Sequence, residues 1–225
     1  MEKWITKIRS LTHTIHSILF PKHCVGCQTK ETYLCSECEN KIIRQGNFGD
    51  KMIFSLVSYR EPLVRKLIWL LKYRGVKEIA EIFGNWLYEA LIEDLAKINL
   101  YHEKQGRILV VPVPLSAKRL RQRGFNQAEE IANQLQKIDP KLFQIESQIL
   151  IKQKETRTQV SVKNRRDRLK NLKGAFALKA SAKIRGRIVV LLDDVCTTGA
   201  TMNEAARVIG RGKPRRVIRV TVAGE

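Results

Sequence analysis

Val189-Val-Leu-Leu-Asp-Asp-Val-Cys-Thr-Thr-Gly-Ala-Thr201 begins as an unbroken apolar run, turns through two adjacent carboxylates and ends in a loop of small residues. An apolar run without alternation fits a strand buried on both faces of a parallel sheet. In open α/β sheets ligands bind beyond the carboxyl ends of the strands, which is where Asp193 and Asp194 fall. The loop Thr197, Thr198, Gly199, Ala200 and Thr201 then leads into a helical pattern over Met202–Ile209. Loop amides and the positive end of a helix suit a phosphate monoester. Gly199 and Ala200 permit close backbone approach, and three threonine hydroxyls add donors. Carboxylates beside a bound phosphate suit the vicinal hydroxyls of a ribose ring. The chain contains neither G-x-x-x-x-G-K-[ST] nor G-x-G-x-x-G, which excludes a Walker loop and a dinucleotide fingerprint.

Working outward, strand-like and helix-like stretches alternate, the pattern of a parallel sheet with helices on its faces. The strands are predicted at Ile53–Tyr59, Ile108–Val113, Ile149–Ile151, Ile188–Leu192 and Val217–Val222. The helices are predicted at Leu63–Leu71, Lys77–Ile98, Gln127–Lys137 and Met202–Ile209. Asn126 stands three residues before Glu129 and Thr201 three before Glu204, so both read as capping boxes. Residues 1–21, closed by Pro21, carry Trp4, Ile5, Ile8, Leu11, Ile15, Ile18 and Leu19 at helical spacing and read as an amphipathic helix.

Residues 22–46 form a second module, and residues 47–225 carry the α/β pattern. Cys24-Val-Gly-Cys27 is followed after seven residues by Cys35-Ser-Glu-Cys38, two knuckles whose four thiolates can converge on one Zn²⁺. Four thiolates leave no open coordination position, so the predicted zinc is structural. The segment has too few large apolar residues for its own core, and the metal would supply folding free energy. Gly26 is expected to tighten the first knuckle. His23 adjoins the cluster, but His13, His16, His23 and His102 form no constellation of their own.

With 42 Lys plus Arg against 22 Asp plus Glu, the formal charge is +20, which favours phosphorylated small molecules or nucleic acid as partners. Arg207, Arg211, Lys213, Arg215, Arg216 and Arg219 follow without one acid, and Arg211, Lys213, Arg215 and Arg216 are the candidate DNA contacts. Lys152–Lys173 holds nine basic residues against two acids and reads as an exposed loop or solvated helix. No apolar run reaches the roughly 18 residues a spanning helix needs, and Met1–Phe20 has no secretory pattern. The expected location is therefore a reducing cytoplasm, with peripheral membrane contact left to the amphipathic stretch.

Asp193-Asp194 and Thr197–Thr201 resemble the acidic pair and 5′-phosphate loop of type I phosphoribosyltransferases. The four-cysteine module, Leu67–Gly75, Val111-Pro-Val-Pro-Leu-Ser-Ala-Lys-Arg-Leu-Arg-Gln-Arg-Gly-Phe-Asn-Gln127 and Thr156-Arg-Thr-Gln-Val-Ser-Val-Lys-Asn-Arg-Arg166, leading to Asn171 and Phe176, narrow the resemblance to the ComF competence family. It covers nearly the whole chain from about residue 20. It implies a type I phosphoribosyltransferase-like parallel sheet flanked by helices, behind a small N-terminal zinc-binding module. The implied ligand is phosphoribosyl diphosphate with Mg²⁺, its 5′-phosphate on Thr197–Thr201 and its ribose on the catalytic pair Asp193 and Asp194. Pro112, Val113, Arg119 and Arg123 would face the diphosphate. The segment Lys152–Lys173, with Thr156, Arg157, Gln159 and Arg165, occupies the place of a closing lid. Cys196 sits at a variable loop position and reads as a small hydrophobe.

The family further implies a role in natural transformation. The chain would handle single-stranded DNA at the cytoplasmic side of the uptake channel, at the inner face of the membrane, with uptake or recombination proteins as partners. Two functions stand side by side: phosphoribosyl transfer to a nitrogen acceptor that no residue identifies, and a catalytically silent DNA- or partner-binding scaffold.

Overall fold

A computed structural model describes residues 22–45, 53–97, 106–153 and 174–225. The predicted helix over 1–21 lies outside the described residues, as do Thr156, Arg157, Gln159, Arg165 and Asn171 of the basic segment. The chain divides into two compact units, Met1–Ile43 and Arg44–Glu225.

In the first unit, the Cys24 amide donates to Thr29 O at 2.8 Å and the Gln28 amide to Cys24 O at 3.1 Å, closing the first knuckle. Its left-handed residue is Gln28 (φ 66°) rather than Gly26. The second knuckle is built on a single helical turn, α1 (Ser36–Glu39), with Cys35 as its N-cap.

The second unit is organised by five parallel strands: β1 (Phe54–Ser58), β2 (Ile108–Pro112), β3 (Phe143–Ile145), β6 (Ile188–Cys196) and β7 (Arg216–Gly224). Their order is β1-β7-β6-β2-β3. The apolar strand β6 lies inside the sheet with β2 and β7 on either side, and its residues Ile188–Leu192 are buried. A core cluster joins Leu109, Val111, Val189 and Leu191 to Met202, Ala205 and Ile209 of α6 (Ala200–Gly210). Helices α3 (Glu78–Lys97) and α5 (Gln127–Ile138) pack on each other, and α5 also packs on β2, β3 and β6.

Several sequence expectations change in the structure. The segment around Ile149–Ile151 leaves the main sheet: β4 (Leu150–Lys152) pairs antiparallel with β5 (Phe176–Leu178) as a separate ribbon. Helix α2 (Pro62–Trp69) continues as a wide π-helical turn over Leu70–Arg74, stopped by Gly75 at φ 67°. A further helix, α4 (Ala117–Arg123), has no apolar stripe to announce it, and none of its residues is buried. Asn126 does cap α5, accepting from the Ala128 amide at 3.2 Å. Thr201 does not cap α6. That helix starts two residues earlier, at Ala200 after Gly199 (φ 72°), and Glu204 instead accepts from the Gly174 amide and pairs with Arg207.

Candidate functional site

The register of the sheet brings the site together. Leu192 lies opposite Pro112 on β2, Asp193 lies opposite Thr221 on β7, and the Val113 amide donates to Leu192 O at 2.8 Å. The acidic pair therefore stays paired with β7 in β6, one step past the last β2 partner and beside Val113-Pro-Leu115. The chain beyond that point is tied back by Asn126, whose Nδ2 donates to Val113 O at 3.0 Å while its Oδ1 caps α5. One buried amide thus fixes both the β2 exit and the start of α5. Ser116 caps α4 through the Arg119 amide at 3.4 Å, and Arg123 donates to Gln127 Oε1 at 2.8 Å.

These elements enclose an open cavity of about 570 Å³, lined by Asp193, Asp194, Thr197 and Thr201 on one side and by Val113, Pro114, Leu115, Arg119, Gln122 and Arg123 on another. Lys72, Tyr73 and Gly75 of the π-helical turn and Lys152 of β4 complete it. Two carboxylates thus share the cavity with four cations, Lys72, Lys152, Arg119 and Arg123, a net positive lining that suits an anionic ligand. Lys72 Nζ stands 2.9 Å from Asp194 Oδ1, with both side chains mostly buried. Asp193 Oδ1 accepts from the Asp194 amide at 2.8 Å. Removal from water, and then the charge of Asp194, push the Asp193 carboxyl up to about 7. Lys72 and Lys152 act in the opposite sense. Burial thus favours the protonated form of the Asp193 carboxyl.

Next to the cavity, a hollow of about 10 Å³ is lined by Asp193, Thr197, Gly199, Ala200 and Thr201 at the N-terminus of α6. Glycine is required at position 199. Its φ is 72°, and a Cβ there would come within 2.9 Å of Ile53 Cδ1. Thr198 Oγ1 is buried without a hydrogen-bond partner among the described residues, an uncompensated donor in the loop read as a phosphate cradle. Burial raises the Cys196 thiol above its ordinary range, which keeps it protonated and unlike a nucleophile.

Of the sequence candidates, Asp193, Asp194, Thr197, Thr201, Val113, Arg119 and Arg123 line the main cavity, and Gly199 and Ala200 the hollow. Pro112 ends β2 inside the sheet and does not line the cavity. Arg157 and Arg165 lie outside the described residues. The DNA candidates fall elsewhere: Arg216 opens β7 opposite Ile188, at the other end of β6 from the acidic pair. Arg211, Lys213 and Arg215 are exposed in the turn before it. Arg207 is engaged by Glu204 at 2.7 Å, and Arg219 donates to Asn203 at 3.0 Å.

Lys72 and Tyr73 are cavity-lining positions that reading by elements missed. A Lys-Tyr-Arg-Gly tail on an apolar helix looks like an ordinary solvated end, and only the π-helical turn aims Lys72 at Asp194.

In the first unit, the sulphur atoms of Cys24, Cys27, Cys35 and Cys38 all lie within 4.8 Å of one another, the one such group among the described residues. Cys27 and Cys35 are 3.4 Å apart, Cys24 and Cys35 3.7 Å. A tetrahedral zinc with Zn–S near 2.3 Å sets sulphurs about 3.8 Å apart, so the donor set fits that ion. Burial and the neighbouring cysteines push the Cys38 thiol up to about 12. Four thiolates at this spacing therefore require a cation to coexist.

The phosphoribosyl transferase domain family matches residues 87–225 of the chain. The chain is 34% identical over 193 residues to Competence protein F of Haemophilus influenzae, covering 84% of this chain and 79% of that one. It is 31% identical to DNA utilization protein YhgH of Escherichia coli K12, over 71% of this chain and 66% of that protein. With Competence protein ComFC of Bacillus subtilis it shares 26% identity, over 84% and 71% of the two chains. Among solved structures it is similar to the HGPRT-ase from Leishmania tarentolae in complex with GMP, with TM-score 0.39, 10% identity and coverage of 66% and 68%.

Proposed function

Because the chain belongs to the ComF competence protein family with its phosphoribosyltransferase domain, we propose that its cavity binds phosphoribosyl diphosphate with Mg²⁺ in a protein that handles single-stranded DNA during uptake. The observation that carries this reading is the one cavity where the acidic pair, the Thr197–Thr201 loop and the cations Lys72, Lys152, Arg119 and Arg123 converge. The 5′-phosphate lies where the cavity meets the α6 N-terminus, against Thr197 and Thr201, with the helix dipole and loop donors toward it. The ribose hydroxyls donate to Asp193 and Asp194. The diphosphate lies toward Arg119 and Arg123. Mg²⁺, when bound with the substrate, supplies charge neutralisation for the departing diphosphate.

Transfer, in this reading, relies on position and electrostatics. Leu115, Val113 and Pro114 line the wall with little polarity, and Arg119 and Arg123 stabilise negative charge as it gathers on the leaving group. Asp193 near neutrality adds a proton-sensitive element, because ribose binding favours its ionised, accepting form. In the first unit, Cys24, Cys27, Cys35 and Cys38 hold a structural zinc.

Calorimetric titration of the zinc-loaded chain with phosphoribosyl diphosphate and Mg²⁺ tests the site. Saturable binding that disappears in the Asp193→Ala/Asp194→Ala variant supports it. No binding by the folded wild type sinks it, and the fold then serves as a scaffold for DNA or a partner.

A further inference from the structure

Between Pro62 and Lys77 the chain carries Arg65, Lys66, Lys72, Arg74 and Lys77 and no acid. Val64, Leu67, Ile68 and Leu71 of this stretch turn into the core. Trp69 and Tyr73 turn out: they are 51% and 64% exposed, the two most exposed large hydrophobic side chains described in the second unit. Their ring centroids are 6.2 Å apart at 42°. Large rings are normally drawn inward, so two of them side by side on a basic helix need a reason. The Arg123 guanidinium lies 5.5 Å from the Tyr73 ring and is itself held by Gln127. Tyr73 also lines the cavity, so the pair runs outward from the cavity rim. Arg119 and Arg123 of α4 line the same cavity as Tyr73, and that helix also carries Lys118 and Arg121 and no acid.

We infer that Trp69 and Tyr73 form a base-stacking platform on which single-stranded nucleic acid is laid toward the cavity mouth. Its chemistry is that of sequence-tolerant strand binding: aromatic faces take unpaired bases while flanking cations follow the phosphates. A duplex hides its base faces and cannot use the rings. A protein partner would have to bury many cations together with only two rings, a poor exchange for an apolar surface. Deepening the proposed DNA role, and resting on it, this placement puts the strand on the cavity side of the molecule. Arg211, Lys213, Arg215 and Arg216 lie at the other end of β6 and are left as auxiliary charge.

The test is anisotropy of labelled dT20 with the zinc-loaded chain at low salt, with phosphoribosyl diphosphate titrated calorimetrically into the same samples. Trp69→Ala and Tyr73→Ala should each weaken dT20 binding about tenfold, as loss of one stacked base predicts. The log–log salt slope should stay unchanged, because no phosphate contact is removed. Trp69→Phe and Tyr73→Phe should hold binding near wild type, and Arg211→Glu/Arg215→Glu should change chiefly the salt slope. Binding of dT20 should also quench Trp69 fluorescence, a signal absent from Trp69→Phe. Unchanged affinity in the double alanine variant overturns the inference and returns the strand to the opposite end of the sheet. Equal affinity for duplex DNA overturns it as well. If wild type fails to bind dT20 while it binds phosphoribosyl diphosphate, the platform and the DNA role fall together and the nucleotide site stands.

Discussion

Replacing Asp193 by Asn should change how stability depends on pH. The Asp193 carboxyl moves from an ordinary 3.8 to about 7 in the folded chain, chiefly by burial and secondly through Asp194. A raised carboxyl pKa means that the folded state holds a proton the unfolded chain has already lost. Between about pH 4 and pH 7 the unfolded state therefore binds fewer protons, and stability must fall as pH rises through that window. The full displacement corresponds to about 4 kcal/mol at pH 8. Because the carboxyl faces an open cavity, water screening reduces the realised loss to about 2 kcal/mol. Asn keeps the shape and cannot ionise, so that loss should vanish. Denaturant unfolding of both proteins at pH 4.5, 6 and 8, with zinc present and no nucleotide, measures it. The variant should overtake the wild type in relative stability by about 2 kcal/mol at pH 8 and show no such gain at pH 4.5. Parallel pH profiles would refute the burial argument and place Asp193 in an ordinary aqueous setting. Proton release offers a second reading of the same group. Ligand binding to wild type at pH 6.5 should release more protons, read as a steeper dependence of enthalpy on the buffer's ionisation heat, than binding to the variant.

Lys72→Met should cost about 1–3 kcal/mol at pH 8, less than a fully buried ion pair because both partners keep some exposure. It should also move the Asp193 midpoint upward, readable by NMR titration, since Lys72 is one of the charges holding it down. Gly199→Ala meets both a φ of 72° and the Ile53 side chain. It should destabilise the fold by about 1–2 kcal/mol and abolish phosphoribosyl diphosphate binding, with thermal melts and calorimetry as the two readings. Metal analysis should find one zinc per chain, and Cys24→Ser should lose it; amide exchange over residues 22–43 should then collapse, because zinc ligation supplies about 10–16 kcal/mol to modules of this kind. Retention of protection after metal removal would show that the module folds on its apolar contacts alone.

The local chemistry was legible in the sequence, because it depends on residues close together in the chain. Ile188–Leu192 announce a doubly buried strand, the two C-x2-C knuckles announce a four-cysteine cluster, and Asp193-Asp194 with the small-residue loop announce the groups that line the cavity and its hollow. Their meaning survives any arrangement of the rest. Capping was legible only where nothing competed for the cap. Asn126 keeps its role, whereas Glu204 is taken by Gly174 and Arg207, partners 30 and three residues away. Helix α4 was hidden because a polar helix without a buried face has no periodicity to read. What the tertiary structure alone decided is which distant groups share the cavity. The widened turn after α2 sends Lys72 to Asp194 and leaves Tyr73 and Trp69 on the rim, and the parallel register of β2 with β6 sets Val113 beside the acidic pair. Such meetings depend on how strands align and on where a helix departs from its 3.6-residue repeat, and packing across the whole unit, not any stretch of chain, determines both.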